Sequence, residues 1–416
     1  MNETVLLDVS RSAGRRWTGA CPSGIDRVSD AYCRHFADKA RAVLQLRGRS
    51  VILGKAESAE FFGNLDAQQK AFRRMLTRLI ANTAGSGARD IPEGSLYLNP
   101  GHSDFDLPSH ARWTWRRRVR GVYLLHDLIP VSYPDFTLPN KVKRHRGRVM
   151  HALNNGAGII VNSAATADEL RQFARRNGIA VPSVHVGHIG TERITRTSPS
   201  KDVVPPHFLA LGTIEARKNH ALLLRVWARL IERMGADTPR LVCAGKWGVK
   251  ADEVRWLLQC NPALSRHVEF RSGLDDGEIA SLMAGSRALL IPSLAEGFGL
   301  PLVEALEAGV PVIANDLPVF REIGQGIPLL IDAGKDDLWL EHIGQFVKDG
   351  PARRRQLSAM GGFHPPRWQH HFAALEDWLA KLAHSAGACQ HGSRPSHLHI
   401  AAEGPNLSDI DRKRSA

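Results

Sequence analysis

The segment EGFGLPLVE places two glutamates, Glu296 and Glu304, on either side of a glycine-rich turn. Proline is favoured at the first position of a helix and glycine just after its end, so Pro301 and Gly309 predict the bounds of a helix. Glu296 is then expected in the turn before that helix, and Glu304 in its first turn. Both carboxylates would lie at the carboxyl edge of a parallel sheet, where open α/β sheets bind their ligands.

This combination of groups suits a nucleotide-sugar as the ligand. Glycines let backbone N–H groups approach an anion closely, and carboxylates accept hydrogen bonds from hydroxyl groups. The alternative is that Glu304 only favours the positive end of the helix dipole and that Glu296 is a solvated turn residue. Two glutamates flanking the same Gly-Phe-Gly turn favour the ligand site.

The elements that must position these residues follow an α/β pattern. Apolar runs of strand length alternate with helical patterns, which predicts doubly wound parallel sheets. Three runs belong to a first unit and four to a second: residues 4–9, 121–126 and 158–162, then 208–212, 240–245, 287–293 and 310–315. Asn219 is a candidate cap of the helix that follows it, and Asp275 with Glu278 predicts a capping box.

We therefore expect two domains, an N-terminal one over residues 1–198 and a C-terminal one over 199–365. The polar, proline-rich stretch 195–206 is the predicted linker between them. An amphipathic helix is expected within 366–384. The remaining 385–416, rich in Gly, Ser, Pro and charge, is expected to be disordered.

The chain of 416 residues has a net charge of +13, part of it in the basic runs 112–120 and 141–148. These runs fit a solvated face, an anionic membrane surface or phosphorylated acceptor, or nucleic acid. No nucleic-acid-binding motif accompanies them, so we do not expect nucleic acid as a partner. Five scattered cysteines, no secretory signal and no apolar run of membrane-spanning length indicate a cytoplasmic protein.

The 296–304 segment resembles the E-x7-E motif of retaining glycosyltransferase family 4. That family has the GT-B fold, in which two Rossmann-like domains face each other and a C-terminal helix crosses back to the N-domain. Five further segments resemble parts of the family in the same chain order: residues 7–28, 123–130, 159–170, 209–220 and 366–372. The first of them is similar to the Gly-Ile-Asp-Arg-Val loop of polysaccharide-building bacterial members.

The resemblance implies a donor site on the C-domain. Negative charge builds on the leaving phosphate during sugar transfer, and Arg217 and Lys218 are the cations expected to stabilise it. Glu304 would bind the ribose, and Glu296 would contact the donor sugar near its anomeric carbon or stabilise the developing cation. Other donor-binding residues would be Gly212, Thr213, Gly297, Phe298, Gly299 and Leu300. Thr213 departs from the family, whose members often carry a basic residue there.

On the N-domain, the resemblance implies that His126 contacts the donor sugar or organises the acceptor. His126 is therefore expected among the catalytic residues with Glu296, Arg217 and Lys218. The expected acceptor-side residues are Gly24, Asp26, Arg27, His102 and Asp127. The triplet Asp104-Phe105-Asp106 superficially matches a metal-binding DxD motif, but it stands on a predicted loop within a GT-B layout. We expect no metal and no cofactor.

The function that follows is a retaining hexosyltransferase that moves mannose or another hexose from a nucleoside-diphosphate sugar to a glycan or lipid-linked glycan. The resemblance points to surface polysaccharide or lipopolysaccharide synthesis at the inner membrane, where an anionic surface would be a further partner. The alternatives are a nucleotide-sugar epimerase or phosphorylase on the same fold, and a basic nucleic-acid-binding protein.

Overall fold

A computed structural model describes residues 5–20, 23–46, 48–82, 91–191 and 207–384. The predicted linker 195–206 and tail 385–416 lie outside the described residues, so the boundary at 198/199 stays a prediction. Among the residues that are described, no helix is both long enough and apolar enough to cross a membrane.

The first sheet has seven strands in the order β3-β2-β1-β4-β5-β6-β7. Its strands are Val5–Asp8 (β1), Ala40–Leu46 (β2), Arg49–Ile52 (β3), Leu96–Asn99 (β4), Arg120–Leu125 (β5), Gly158–Val161 (β6) and Ser183–Val186 (β7). All neighbours pair in parallel except β3, which is antiparallel to β2 at one edge. Strands β1, β4 and β6 are buried along their whole length, as expected where helices cover both faces of a parallel sheet.

The second sheet is wholly parallel, with the order β10-β9-β8-β11-β12-β13. Its strands are His207–Leu211 (β8), Arg240–Ala244 (β9), Val268–Arg271 (β10), Ser286–Ile291 (β11), Val312–Asn315 (β12) and Leu329–Ile331 (β13). The strand order reverses between β1 and β4 in the first sheet and between β8 and β11 in the second. A ligand crevice is expected outside the carboxyl ends at such switch points.

Eight helices accompany the first sheet: Ser10–Thr18 (α1), Gly24–His35 (α2), Lys55–Gly63 (α3), Gln69–Asn82 (α4), Pro108–Arg117 (α5), Ile129–Ser132 (α6), Pro139–Asn155 (α7) and Ala164–Arg176 (α8), counted over the described residues. Those that follow β8 are His220–Met234 (α9), Asp252–Cys260 (α10), Asp276–Ala284 (α11), Leu300–Ala308 (α12), Pro318–Ile323 (α13), Asp336–Val347 (α14), Pro351–Ala359 (α15) and Trp368–His384 (α16).

The last helix, α16, packs on the first domain, which confirms the predicted crossing. The Phe372 ring stacks on His35 at 3.9 Å between centroids, and Glu376 pairs with Lys39 at 2.7 Å. Near the end of α16, the Leu382 carbonyl accepts a hydrogen bond from Arg120 of β5. A single apolar cluster joins residues of both sheets to α16, so the two domains share part of their core.

Two predicted helix starts differ in detail from the structure. Helix α12 begins at Leu300 because Gly299, at φ 98°, takes the left-handed conformation of its N-cap. Glu304 is therefore the fifth helical residue, in the second turn, and its expected place in the first turn is wrong. Asn219 does precede α9, but with a left-handed backbone and no side-chain cap. The capping box of Asp275 and Glu278 is confirmed.

The fold buries many imidazoles, and this predicts an acid-sensitive stability. Among the residues that the structure describes, burial is the largest cause of a lowered pKa at nine histidines: His102, His110, His126, His145, His151, His185, His207, His220 and His371. A histidine with a lowered pKa in the folded state takes up its proton mainly on unfolding. Its contribution to stability is therefore present above the ordinary pKa of about 6.5 and is lost as the pH falls below it.

We expect the free energy of unfolding to fall by at least several kcal/mol between about pH 7.5 and pH 5, since each histidine kept neutral by the fold contributes up to about 1.4 kcal/mol per pH unit below its ordinary pKa of about 6.5. Asp8, Glu169 and Glu304 have raised pKa values and act in the opposite sense, but they are fewer. Urea unfolding at both pH values measures the difference. His220→Leu removes a buried imidazole whose pKa is lowered to about 4, so this variant should show a smaller difference in stability between the two pH values. A stability that does not change with pH would contradict the account.

Candidate active site

A cleft of about 950 Å³ lies between the two domains, at the carboxyl ends of both sheets. Loops that follow individual strands supply its polar walls. The N-domain side carries His126 and Asp127 after β5 and Asn162 after β6. The C-domain side carries, among others, Gly212, Thr213, Gly245, Lys246, Glu296 and Glu304. The two switch points therefore open onto one shared space.

Glu296 lies in the turn between β11 and α12 and contacts both predicted diphosphate-binding cations. Its carboxylate pairs with Arg217 at 3.0 Å and with the Lys218 ammonium, and only 10% of its side chain is exposed. Burial disfavours the charged form, but Lys218 and Arg217 outweigh it and lower the pKa of Glu296 to about 2. Glu296 is thus fully ionised at neutral pH.

Arg217 is held in place by further contacts. It lies on the short 3-10 turn Ala216–Lys218 between β8 and α9. Its guanidinium donates to the Ala295 carbonyl and pairs with Glu215, each at 2.8 Å. The backbone carbonyl of Arg217 accepts a hydrogen bond from the Leu294 N–H. The loops after β8 and β11 are therefore bonded to each other, as adjacent strands at a switch point allow.

Glu304, on α12, makes an ion pair that crosses between the domains. Its carboxylate meets the Arg27 guanidinium of α2 at 2.6 Å, and 12% of the side chain is exposed. Burial raises the pKa of Glu304, and Arg27 opposes this shift. Arg27, predicted on the acceptor side, thus faces the predicted ribose-binding carboxylate.

His126 is buried directly after β5, with 4% of its surface exposed. Its Nε2–H donates to the Pro100 carbonyl at 2.8 Å, so the neutral ring carries its lone pair on Nδ1. Burial lowers the pKa of His126 to about 4, which keeps the ring neutral at physiological pH. The following residue, Asp127, is oriented by the N–H of Ile129 and by His145, whose Nε2 lies 2.9 Å from the Asp127 carbonyl.

Two predicted acceptor-side residues, His102 and Asp26, are not among the residues that line the cleft. His102 lies behind His126, buried, with ring centroids 5.0 Å apart. Asp26 is buried beneath α1, where it pairs with Arg11 at 2.6 Å and Arg15 at 2.7 Å and accepts from the N–H of Ser23. Both side chains were predicted to contact an acceptor. Because they are buried behind the surface of the cleft, they support its wall instead.

The remaining predicted residues do line the cleft: Gly24, Gly212, Thr213, Gly297, Phe298, Gly299 and Leu300. Gly297 packs so closely on the N-domain that a Cβ there would lie 2.2 Å from the His126 carbonyl oxygen. Arg15, Asn162, Lys246, Arg271 and Asp276 also line the cleft and were not among the predicted site residues, although Lys246 and Arg271 belong to the segments 245–248 and 270–274, near which base recognition was expected. Lys246 follows β9 by two residues and Arg271 ends β10, positions that could have identified them, whereas Arg15 lies within α1 and carries no such signal.

The Asp104-Phe105-Asp106 triplet makes contacts that hold two elements of the N-domain together. Asp106 accepts from Arg144 at 2.8 Å and Arg148 at 3.2 Å, and the Phe105 ring is fully buried. Across the described ranges, no three His, Cys, Asp or Glu side chains are grouped so as to hold a metal ion. The triplet therefore ties α7 to the loop before α5, and metal independence stays a prediction.

Comparison with known proteins supports a glycosyltransferase. The family model of glycosyl transferases group 1 matches residues 192–360. The serotype-specific mannosyltransferase WbdA of Escherichia coli is 31% identical over 221 residues, which are 49% of this chain and 27% of WbdA. The O-antigen chain mannosyltransferase B of Escherichia coli is 26% identical over 251 residues, 56% of this chain and 62% of that protein. The chain thus spans about a quarter of the WbdA length.

Solved structures agree with the architecture. Anabaena HepE in complex with UDP and glucose has a TM-score of 0.64 at 16% identity, covering 91% of this chain and 100% of that one. Sucrose-phosphate synthase from Thermosynechococcus elongatus has a TM-score of 0.58 at 17% identity, covering 94% and 100%. The chain has the GT-B fold. In this GT-B structure, the cleft between the domains is where the predicted donor residues and His126 meet.

Proposed function

We propose that the protein is a metal-independent, retaining glycosyltransferase of family 4 that transfers a hexose from a nucleoside-diphosphate sugar. One observation carries the proposal: both glutamates of the 296–304 segment and the cations Arg217 and Lys218 meet in one interdomain cleft. Mannose is the first candidate for the sugar, because the relatives WbdA and O-antigen mannosyltransferase B carry that name.

Donor binding would exchange the partners of the buried charges. A diphosphate offers Arg217 and Lys218 oxygens in place of the Glu296 carboxylate, and charge-assisted contacts to phosphate are among the strongest hydrogen bonds. Glu304 would exchange Arg27 for the ribose hydroxyls. Glu296, once relieved of its two cations, would face the sugar, where it binds hydroxyls or stabilises the developing positive charge.

The leaving phosphate would then be stabilised by cations that already stand in place. Lys246, Arg271 and Arg15 add positive charge to the same cleft. His126 would accept a hydrogen bond at Nδ1 from a sugar or acceptor hydroxyl. As the family resemblance implies, the leaving phosphate itself would take the acceptor's proton on the face where the new bond forms.

The acceptor would be a glycan or a lipid-diphosphate-linked glycan of a surface polysaccharide, presented at the cytoplasmic side of the inner membrane. Helices α5 and α7 carry most of the two basic runs; Asp106 ties α7 to the loop before α5, and Trp113 of α5 packs against the core cluster that contains Val149 of α7. Several of their basic side chains are exposed, and Trp115 is 61% exposed beside them. Cations around an exposed tryptophan suit an anionic lipid surface.

A thermal-shift screen against UDP, GDP, ADP and CMP and their sugars, with and without EDTA, tests the donor site. A ligand present at about 100 times its Kd stabilises the folded state by about 2.7 kcal/mol. We expect one nucleoside diphosphate to raise the Tm without metal, and Glu304→Ala and Lys218→Ala to abolish the shift. The exposed residues Glu341 and Lys381 supply matched alanine controls that should keep it.

Transfer itself is then measured with the sugar nucleotide that binds, with retention read from the anomeric configuration of the product. Transfer to a glycan acceptor with retention supports the proposal. Release of an epimerised nucleotide-sugar without an acceptor, or salt-dependent binding of oligonucleotides in place of nucleotides, would assign the protein to one of the alternative classes.

The membrane surface has its own test. Charge reversal of Arg112, Arg116, Lys141 and Lys143 to glutamate should lower binding to vesicles that contain anionic lipid by at least about tenfold, since each basic residue near such a surface contributes about 1 kcal/mol. The double reversal Lys348→Glu and Arg355→Glu on the C-domain is the control. Equal vesicle binding by both variants would contradict a role of this face.

A further inference from the structure

The N-terminus of α8 is one place where the N-domain contacts the 296–300 turn. Ser163, the N-cap residue, has its Oγ 3.0 Å from the Gly297 carbonyl oxygen, and the Thr166 Oγ1 lies 3.2 Å from the same atom. Both side chains are buried. The carbonyl that follows Glu296 by one residue is therefore bonded to the opposite domain.

The same helix end binds a second group of the C-domain. The backbone N–H groups of Ala164 and Ala165 donate to the Glu322 carboxylate of α13, at 2.7 and 3.1 Å. The His188 ring also contacts this carboxylate at 2.7 Å, and the pKa of Glu322 is lowered despite its burial. A carboxylate on the first amides of a helix is favoured by the helix dipole.

We call Ser163, Thr166, Gly297 and Glu322 the cross-domain clasp. Within it, each hydroxyl has one proton to give. The Ser163 Oγ accepts from the Thr166 N–H at 3.0 Å, which caps α8. Its proton is left for the Gly297 carbonyl or for the Thr166 Oγ1. When the Ser163 proton goes to the Gly297 carbonyl, that carbonyl has a donor from the N-domain; when it goes to the Thr166 Oγ1, the Thr166 proton is shared between the Gly297 carbonyl and the Asn162 Oδ1, which lies 3.3 Å from the Thr166 Oγ1. This close approach requires the glycine, because a Cβ would strike the His126 carbonyl.

We propose that Ser163 and Thr166 are positioning residues for Glu296, because the cross-domain clasp fixes the 296–300 turn against the strand end that carries His126. The inference rests on the proposed transferase function. Glu296 belongs to the C-domain and His126 to the N-domain, so their relative position depends on contacts that cross between the domains. The Gly297 carbonyl is the nearest such contact to Glu296 along the chain.

The clasp should affect the rate of transfer more than the affinity for nucleotide. Glu304, Arg217 and Lys218, the proposed nucleotide contacts, all belong to the C-domain and stay in place if the clasp opens. A displacement of a reacting group by about 1 Å can lower a rate by about a hundredfold. The predicted signature is thus a fall in kcat with little change in Kd.

Thr166→Val and the double variant Ser163→Ala/Thr166→Val test this inference. Valine keeps the shape of threonine and leaves the Ser163 cap of α8 intact, so the single variant isolates the hydroxyl. Thr166→Ser restores the hydroxyl and is the rescue. Thr77→Val is the matched control, because the Thr77 hydroxyl donates to the Arg73 carbonyl of its own helix on an exposed face.

Two readouts are taken for each variant. The first is the release of nucleoside diphosphate from GDP-mannose and from UDP-glucose, with the Kd of GDP and UDP by calorimetry. We expect kcat to fall about tenfold for Thr166→Val and further for the double variant, with Kd within about twofold. The second is amide hydrogen exchange of residues 296–300 without ligand, which should become faster in both variants.

The inference is overturned if kcat and exchange at 296–300 match the wild type, or if Thr166→Ser behaves as Thr166→Val. A wild-type protein that neither binds nor turns over nucleotide-sugars would refute the proposed function instead. The exchange measurement still decides the clasp in that case, since it needs no substrate: unchanged exchange refutes it, and faster exchange limited to the variants supports it.

Discussion

The ion pairs of Glu296 with Arg217 and Lys218 are the interaction on which the cleft depends. A carboxylate with 10% of its side chain exposed stays ionised only if opposite charges stand against it. Here the cations come from the loop after β8 and the carboxylate from the loop after β11. The two loops are neighbours because the strand order reverses between them. The charge pairing and the topology of the second sheet therefore specify the same place.

The cleft also requires that the N-domain stay at a fixed distance from the Glu296 ion pairs. Helix α16 packs on the N-domain through apolar residues, Arg27 pairs with Glu304, and the N-terminus of α8 bonds to Gly297 and Glu322. Each contact unites the domains through a different chemistry: apolar packing, an ion pair and helix-end hydrogen bonds. The ion pair lies inside the cleft, where a ligand would compete for it, whereas the helix-end contacts lie beside it and can persist when a ligand binds.

The sequence was sufficient for the parts of the site that depend on short segments. The Gly-Phe-Gly turn and its glutamates, and Arg217 with Lys218, stand next to strands that hydrophobic runs identify. It was not sufficient for burial or for pairing. The Ser23-x-x-Asp26 spacing is that of a capping box and could have identified Asp26 as a structural residue, but nothing in residues 23–27 predicts its burial against two arginines or that Arg27 points into the cleft. Glu304 lies in the second turn of α12 and not in the first, because the left-handed conformation of Gly299 starts the helix one residue earlier than Pro301 predicted. Arg15 and Ser163 act through tertiary contacts that no local pattern contains.

The measurement that tests the account most directly is a crystal structure of the protein with the nucleoside diphosphate that stabilises it. The account predicts that the phosphates contact Arg217 and Lys218 where Glu296 now stands, and that the ribose hydroxyls take the place of Arg27 on Glu304. A nucleotide bound elsewhere, or bound in the cleft with both ion pairs of Glu296 intact, would contradict the claim that these charges exchange partners to hold a donor.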